Sequence, residues 1–596
     1  MDFFYPNNNQ IKPIPVMIKI SATVFMIMMS VIHVIAITFI AKLIFAFPTP
    51  EKIKELSNRL LEKYGEETFN DDLRVDSERT IAMQDQFDVR HNEIRITVDT
   101  DNKSISGIVT SKARNESDTL NSVWINFYDN LNVSLVSLNG ENVGYVREEN
   151  MLKLFTSGKI NKGDEFEIKI EYNGKPENKG FDSFSFWKYD GYPCVYTLSE
   201  PTFAPTWWPC KDRPDDKFTS DMIINVDSAL TATSNGLLIN ETIEGDRKIF
   251  HWRSSYPITT YLVAMTIGRY NQWQDEYRLS DNTVMPITYY SFPSLTEKAK
   301  TDWSNTPEMI DYFSGLFGEY PFINEKYGMV TFGWLNGAME HQTISSMGYM
   351  TITGDFKYEN IVAHELAHQW FGNSVSPASW KDIWLNEGFA SYSEALWAEH
   401  RKGRTGLSEY MMQEDFGYFN STVYNPEGFI FGSSVYQKGS WCLHMLRGVV
   451  GDSTFYRILR KYAGEYKFKN ATTQQFQAIC EEVSGTDLQY FFDQWIYKGK
   501  DRPVYEFSWK ADEFDIPGQP HTYNLRIHLE QVQEGYKLYK MPIRILVETG
   551  FSVMELRFFN DSVAQDFVRP IQGKPLKVTF DADNWILKKV INKEYK

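Results

Sequence analysis

The sequence predicts a multidomain α+β protein. A β-rich N-terminal domain leads into a mainly α-helical middle domain and a small C-terminal β-sandwich, with one transmembrane helix ahead of them. Three observations carry this. At 596 residues the chain is too long for one hydrophobic core. Apolar residues alternate with period two from about residue 80 to 270 and again after 501, whereas helical spacing dominates from about 271 to 500. Finally, Ile20 to Ala41 is a run of 22 residues without a formal charge, bounded by Lys19 and Lys42, and that length spans a bilayer.

Taken in order, residues 1–45 read as a polar tail and membrane anchor. The run is longer than the usual apolar region of a signal peptide, and no good small-x-small cleavage site follows it, although a cleaved signal remains an alternative. Lys12 and Lys19 precede the span while Lys42, Lys52, Lys54 and Arg59 follow it, so the count of positive charges opposes the extracytoplasmic placement expected of the domains that follow. Residues 46–79 read as stalk and linker: Thr49-Pro50 starts a helix, and Ile53, Leu56, Leu60 and Leu61 make its apolar stripe. In 80–270, Ile94, Ile96 and Val98 alternate with polar residues, as do Phe166, Ile168, Ile170 and Tyr172, and Asn-Gly pairs at 139, 173 and 235 supply turns. Within 271–500, Gly328-Met-Val-Thr-Phe-Gly and Tyr349-Met-Thr-Ile-Thr read as strands among helices. In 501–596, Leu525/Ile527/Leu529 and Ile543/Ile545/Val547 restore the alternation and make a small sandwich.

A formal charge of −17 argues against nucleic acid as a partner. Cys194, Cys210, Cys442 and Cys480 lack metal-binding spacing. Pairing of 194 with 210 and 442 with 480, or four buried thiols, fits them equally well.

The chemistry concentrates in Val362-Ala-His-Glu-Leu-Ala-His-Gln-Trp. His364 and His368 are four apart, so on a helix they lie about 40° apart around the axis and face one side. Two neutral imidazoles so placed can hold zinc, and Glu365 beside the first can act as general base. Glu387, in Trp-Leu-Asn-Glu-Gly-Phe-Ala, follows nineteen positions after His368. That interval lets one helix end, a loop turn through Gly372-Asn373 and Ser376-Pro377, and an antiparallel helix return a carboxylate. Three protein ligands leave a fourth position open, as in a catalytic site.

These motifs and their β-rich flanks resemble the aminopeptidase N family of gluzincin metallopeptidases, from about residue 80 to beyond 500. The resemblance implies a saddle-shaped N-terminal β domain, a thermolysin-like catalytic domain and a small β-sandwich, without the C-terminal helical domain of larger members. Gly337-Ala-Met-Glu-His341 is similar to the family's Gly-x-Met-Glu-Asn exopeptidase strand. This implies that Gly337, Ala338 and Met339 line the substrate and that Glu340 binds its α-ammonium. Leu198-Ser-Glu-Pro-Thr-Phe-Ala-Pro-Thr-Trp-Trp-Pro-Cys resembles the segment that supplies the second amine-binding carboxylate, which places Glu200 there. Val435-Tyr-Gln-Lys-Gly is similar to Tyr-Glu-Lys-Gly and implies that Tyr436 stabilises the tetrahedral intermediate. Glu394, seven after Glu387, matches the glutamate that orients a ligand histidine. His341 stands where the family has Asn, and Leu198 where it has Gln.

The expectation is a zinc aminopeptidase with one zinc per chain. Glu365 activates the attacking water, and free-amine peptides are the substrates. A zinc endopeptidase, a lipid-epoxide hydrolase on the same site and a catalytically silent peptide-binding protein are the alternatives.

Overall fold

The computed structural model describes residues 78–279, 281–516 and 519–595. The expected anchor and most of the stalk lie outside the described residues. Among the described residues no helix is long and apolar enough to cross a membrane.

Strand alternation becomes an eight-stranded sheet. Its spatial order is Leu237–Glu244, Arg247–Thr259, Lys217–Asp227, Phe87–Asp99, Ser104–Asn115, Glu165–Gly174, Leu131–Leu138 and Glu141–Asn142. All neighbours are antiparallel except Phe87–Asp99 with Lys217–Asp227. Ile94, Ile96 and Val98 are buried, as are Phe166, Ile168, Ile170 and Tyr172, because residues two apart share a sheet face. A four-stranded sheet follows, with Tyr192–Thr197 between Phe184–Tyr189 and Met265–Gly268. The chain leaves Thr197 directly into the buried segment that holds Glu200.

The middle region opens on strands, not helices: β1 (Asn271–Arg278) and β2 (Val284–Ser291) form a hairpin. They join β3 (Tyr327–Phe332), β4 (Ala338–Met339) and β5 (Ser345–Gly348) in the order β1-β2-β3-β5-β4, which leaves β4 at the edge. The strand expected at Tyr349-Met-Thr-Ile-Thr lies four residues earlier, and Tyr349–Thr351 is a short 3₁₀ turn. The backbone decides this: Tyr349 N–H donates to Trp334 O at 3.0 Å and Met350 N–H to Leu335 O at 3.1 Å, so neither continues the ladder.

Three helices build the site: α1 (Glu359–Ala367), α2 (Trp384–Gln413, broken at Gly403) and α3 (Gln437–Val450). Helix α2 crosses α3 with its backbone in contact. A Cβ on Gly388 would lie 3.0 Å from Gly439 Cα, and one on Gly439 would lie 2.9 Å from Gly388 Cα. Any side chain at either position would force the helices apart, and Glu387 and Tyr436 flank this crossing.

After residue 503, four strands (Ala564–Gln572, Gln519–Gln531, Val504–Ile516, Lys589–Asn592) and three (Val553–Asn560, Met541–Thr549, Pro575–Phe580) form two sheets. Leu525, Ile527, Leu529, Ile543, Ile545 and Val547 are buried. His444 of α3 reaches the connection between Pro575–Phe580 and Lys589–Asn592, stacking on Trp585 at 4.7 Å between ring centres. The four cysteines are buried free thiols.

Candidate active site

Helix α1 is anchored from its approach loop. Asp302 accepts hydrogen bonds from the backbone N–H groups of Thr353, Gly354 and Phe356 at 2.7–2.8 Å, and Asn305 Nδ2 donates to Glu359 at 2.5 Å. The helix ends at His368, and the turn depends on Gly372. Its φ is +126°, and an added Cβ would lie 3.1 Å from His368 Nδ1, so only glycine fits there. Glu387 returns in the first turn of α2, where the helix N-terminus favours a carboxylate.

His364 Nε2, His368 Nε2 and Glu387 Oε2 converge: Glu387 is 3.3 Å from the first and 3.4 Å from the second. All three donor atoms lie within 4.8 Å of one another. Glu387 meets both histidines, and one turn back along α1 Glu394 meets His364 and Asn360, so α1 and α2 run in opposite directions. Each imidazole is oriented from behind. His364 Nδ1 bonds Glu394 Oε1 at 2.8 Å and His368 Nδ1 bonds Phe371 O at 3.0 Å, which turns both Nε2 atoms inward. Two inward imidazole nitrogens and one carboxylate oxygen are the donor set zinc takes at a site with an open position. The residues present therefore fit a zinc ion.

Buried acidic groups surround this centre. Glu200, Glu340 and Glu387 bring carboxylate oxygens within 4.8 Å of one another. Glu200 Oε1, Glu340 Oε1 and Glu365 Oε2 are buried without a hydrogen-bond partner, although a buried carboxylate ordinarily has one. Burial, then the neighbouring carboxylates Glu340, Glu387 and Glu365, push Glu200 well above the usual carboxyl range. Burial likewise raises Glu340. Burial pushes Glu365 up to about 8, against the pull of His364 and His368 and with Glu340 and Glu387 adding to it. Burial acts on Glu387 in the same sense, but the His368 and His364 imidazoles outweigh it and hold it down to about 2. Such a cluster is relieved by cations. It is built for positive charge at two adjoining points.

The expected residues meet in one cavity of about 410 Å³. Its lining includes the three metal-facing residues together with Glu365, Tyr436, Glu394, Glu200, Glu340 and the 337–339 strand. The Tyr436 ring lies nearly parallel to that of His364, 6.1 Å between centres. Leu198 also lines the cavity. His341 does not line it: the ring is fully buried, with Nδ1 bonded to Ser346 Oγ at 2.9 Å. The end of edge strand β4 is held in place from the turn that follows α1, since Asn373 Nδ2 and Gln369 Nε2 donate to Glu340 O at 2.6 and 3.3 Å.

Sequence reasoning missed several participants. Asn360 Nδ2 donates to Glu394 Oε2 at 2.7 Å, and its place one turn before His364 could have revealed it. Tyr410 also donates to Glu394 Oε2. It lies beyond the break in α2, where no spacing rule reaches. Phe181, Trp334, Phe429 and Phe431 line the cavity from three separate segments, and no local pattern signals their convergence.

Residues 302–495 match the Peptidase family M1 domain and residues 88–262 the Peptidase M1 N-terminal domain. Human glutamyl aminopeptidase is 31% identical over 328 residues, covering 50% of this chain and 34% of the human protein. Probable aminopeptidase 2 of Sulfurisphaera tokodaii is 27% identical over 390 residues, covering 62% of this chain and 49% of that protein. The chain thus spans half or less of the length of these relatives. The crystal structure of an M1 zinc metallopeptidase from Deinococcus radiodurans superposes with a TM-score of 0.62 at 25% identity, covering 69% of this chain and 94% of that one. With a β-rich N-terminal domain, a helical catalytic domain and both domain signatures in register, the chain belongs to the peptidase M1 family, that of aminopeptidase N.

Proposed function

We propose that this protein is a zinc-dependent aminopeptidase that hydrolyses the first peptide bond of peptides with a free amino terminus, with one zinc per chain. One observation carries the reading. Buried, unpartnered carboxylate oxygens of Glu200 and Glu340 sit beside Glu387, one of the three residues that would hold the metal. Bound by His364, His368 and Glu387, zinc would supply Lewis acidity and a water acidic enough to ionise near neutral pH.

The chain's own groups do the rest. Glu394 Oε1 accepts the His364 Nδ1 proton and keeps Nε2 available as a ligand. Glu365 Oε2, buried and unpartnered, takes a proton from the attacking water and passes it to the leaving amine nitrogen. The Tyr436 hydroxyl donates a hydrogen bond to the oxyanion that develops on the substrate carbonyl oxygen. Glu200 and Glu340 bind the α-ammonium and set the distance from the amine to the reacting bond, so only the first bond is reached.

The test is one peptide series with free and acetylated amino termini, assayed with and without added zinc. Acetylation removes the cation and leaves two buried carboxylates without a partner, which lowers kcat/KM by about two to four orders of magnitude. Equal cleavage of both forms would make the enzyme an endopeptidase, and no cleavage of either would leave a peptide-binding protein.

The finer organisation belongs to the same proposal: a saddle-like domain over 80–270, a thermolysin-like domain over 271–500 and a β-sandwich over 501–596. A membrane anchor precedes them and holds the enzyme domain outside the cytoplasm. The uncharged run from Ile20 to Ala41 supports the anchor by its length. On cell fractionation the full chain is expected to stay with membranes through an alkaline carbonate wash, and its release by that wash would refute the anchor.

A further inference from the structure

We infer that Phe181, Trp334, Phe429 and Phe431 form the receptor for the side chain of the substrate's first residue, and that this receptor selects large apolar, above all aromatic, side chains. The inference rests on the aminopeptidase reading and names the substrate class for the same site.

The four rings come from separate parts of the chain and meet in the cavity that holds the metal-facing residues. Phe181 is their hub: its ring centre lies 5.7 Å from Phe431, 5.9 Å from Phe429 and 6.4 Å from Trp334. These spacings are those of favourable edge and tilted aromatic contacts. The group adjoins the amine-binding end. An added Cβ on Gly337 would lie 3.6 Å from the Trp334 ring, and Gly337 precedes Glu340 by three residues across β4. On the other side Phe181 packs on Phe203 at 6.2 Å, three residues after Glu200. A substrate amine held between Glu200 and Glu340 therefore directs the side chain on the adjacent carbon towards these rings.

The backbone that delivers Phe181 is unusual. Phe181 and Asp182 both have left-handed backbones, with φ of +48° and +58°, a conformation that residues with a side chain seldom adopt. Surrounding bonds hold it. Asn178 Nδ2 donates to Asp182 Oδ1 at 2.7 Å, Gly180 N–H to Asn178 Oδ1 at 3.0 Å and Lys179 N–H to Ser183 Oγ at 3.0 Å. Strained backbone maintained by several independent bonds is characteristic of ligand contacts. The rings also remain partly open: Phe429 is 42% exposed, and Phe181, Trp334 and Phe431 are half-buried. Apolar surface left uncovered inside a concave site is what an apolar ligand group covers. Among the described residues lining the cavity there is no Lys or Arg, so an acidic side chain would find no ammonium or guanidinium there to pair with.

The test uses the full zinc-loaded chain and aminoacyl coumarylamides of Phe, Leu, Ala, Lys and Glu. The wild type is expected to favour Phe over Ala by about tenfold to a hundredfold in kcat/KM, with Leu between them and Glu last. Phe181→Ala should lower the Phe-to-Ala ratio about tenfold. Phe429→Ala, at the most exposed of the four rings, should lower it in the same direction. A Lys, Glu or Ala substrate equal to or better than Phe, or an unaltered ratio in both variants, would overturn the inference. A preference for Lys would point instead to cation–π recognition by the same rings. Binding of phenylalaninamide and alaninamide by calorimetry tests it without turnover. If no substrate is hydrolysed, the aminopeptidase reading falls, and this receptor falls with it only if phenylalaninamide binds no tighter than alaninamide.

Discussion

Glu365→Gln lowers kcat by about two to four orders of magnitude while the protein keeps its zinc. The amide is nearly the same size as the carboxyl, so packing around this buried position is retained. It has no basic oxygen to take a proton from water and no proton to return to the leaving nitrogen at the right moment. Glu365 faces the cavity with its Oε2 unpartnered and stands outside the His364, His368 and Glu387 cluster that would hold the metal. Metal content measured by plasma emission on the purified variant, together with single-turnover rates on a free-amine substrate, checks both halves. Retained zinc with near-normal turnover would mean that another group moves the proton. Lost zinc would mean that Glu365 holds metal rather than protons.

Glu387→Gln separates holding the metal from moving protons. Glu387 is the one anionic member of the set, kept ionised by the imidazoles of His368 and His364 against the effect of its own burial. A neutral amide oxygen is a poorer zinc ligand and no longer offsets the cation's charge in a buried site. Changing a residue that merely supports a ligand costs about 10–100-fold in metal affinity, and loss of a direct ligand is expected to cost more than that. Dialysis against zinc buffers of graded free concentration gives the affinity, and circular dichroism shows whether the fold survives. Activity should fall with zinc occupancy and return partly at high free zinc. A variant that binds zinc as tightly as the wild type would remove Glu387 from the ligand set.

The two helices of the centre were legible because their information is local. His364 and His368 share a face by helical periodicity alone, and nineteen residues to Glu387 are just enough for a turn and a return. Glu200, Glu340 and Tyr436 were reached by likeness of short motifs, and the cavity brings all three together. The misplaced strand at Tyr349 shows the limit of alternation. Its apolar pattern suits a ladder, but the carbonyls of Trp334 and Leu335 capture its backbone N–H groups first. The two glycines at the helix crossing carried no signal in either of their own segments. Their requirement appears only when Gly388 and Gly439 face each other.

By itself the sequence determined the β-rich and helical regions and that His364, His368 and Glu387 would converge with Glu365 beside them, since each follows from residue type and spacing within a few turns of chain. Tertiary structure alone decided that Tyr410 holds Glu394, that His341 is turned away from the cavity, and that Phe181, Trp334, Phe429 and Phe431 converge. Those contacts join residues up to about 250 positions apart. Their partners are selected by how whole domains pack, and periodicity carries no information across such distances.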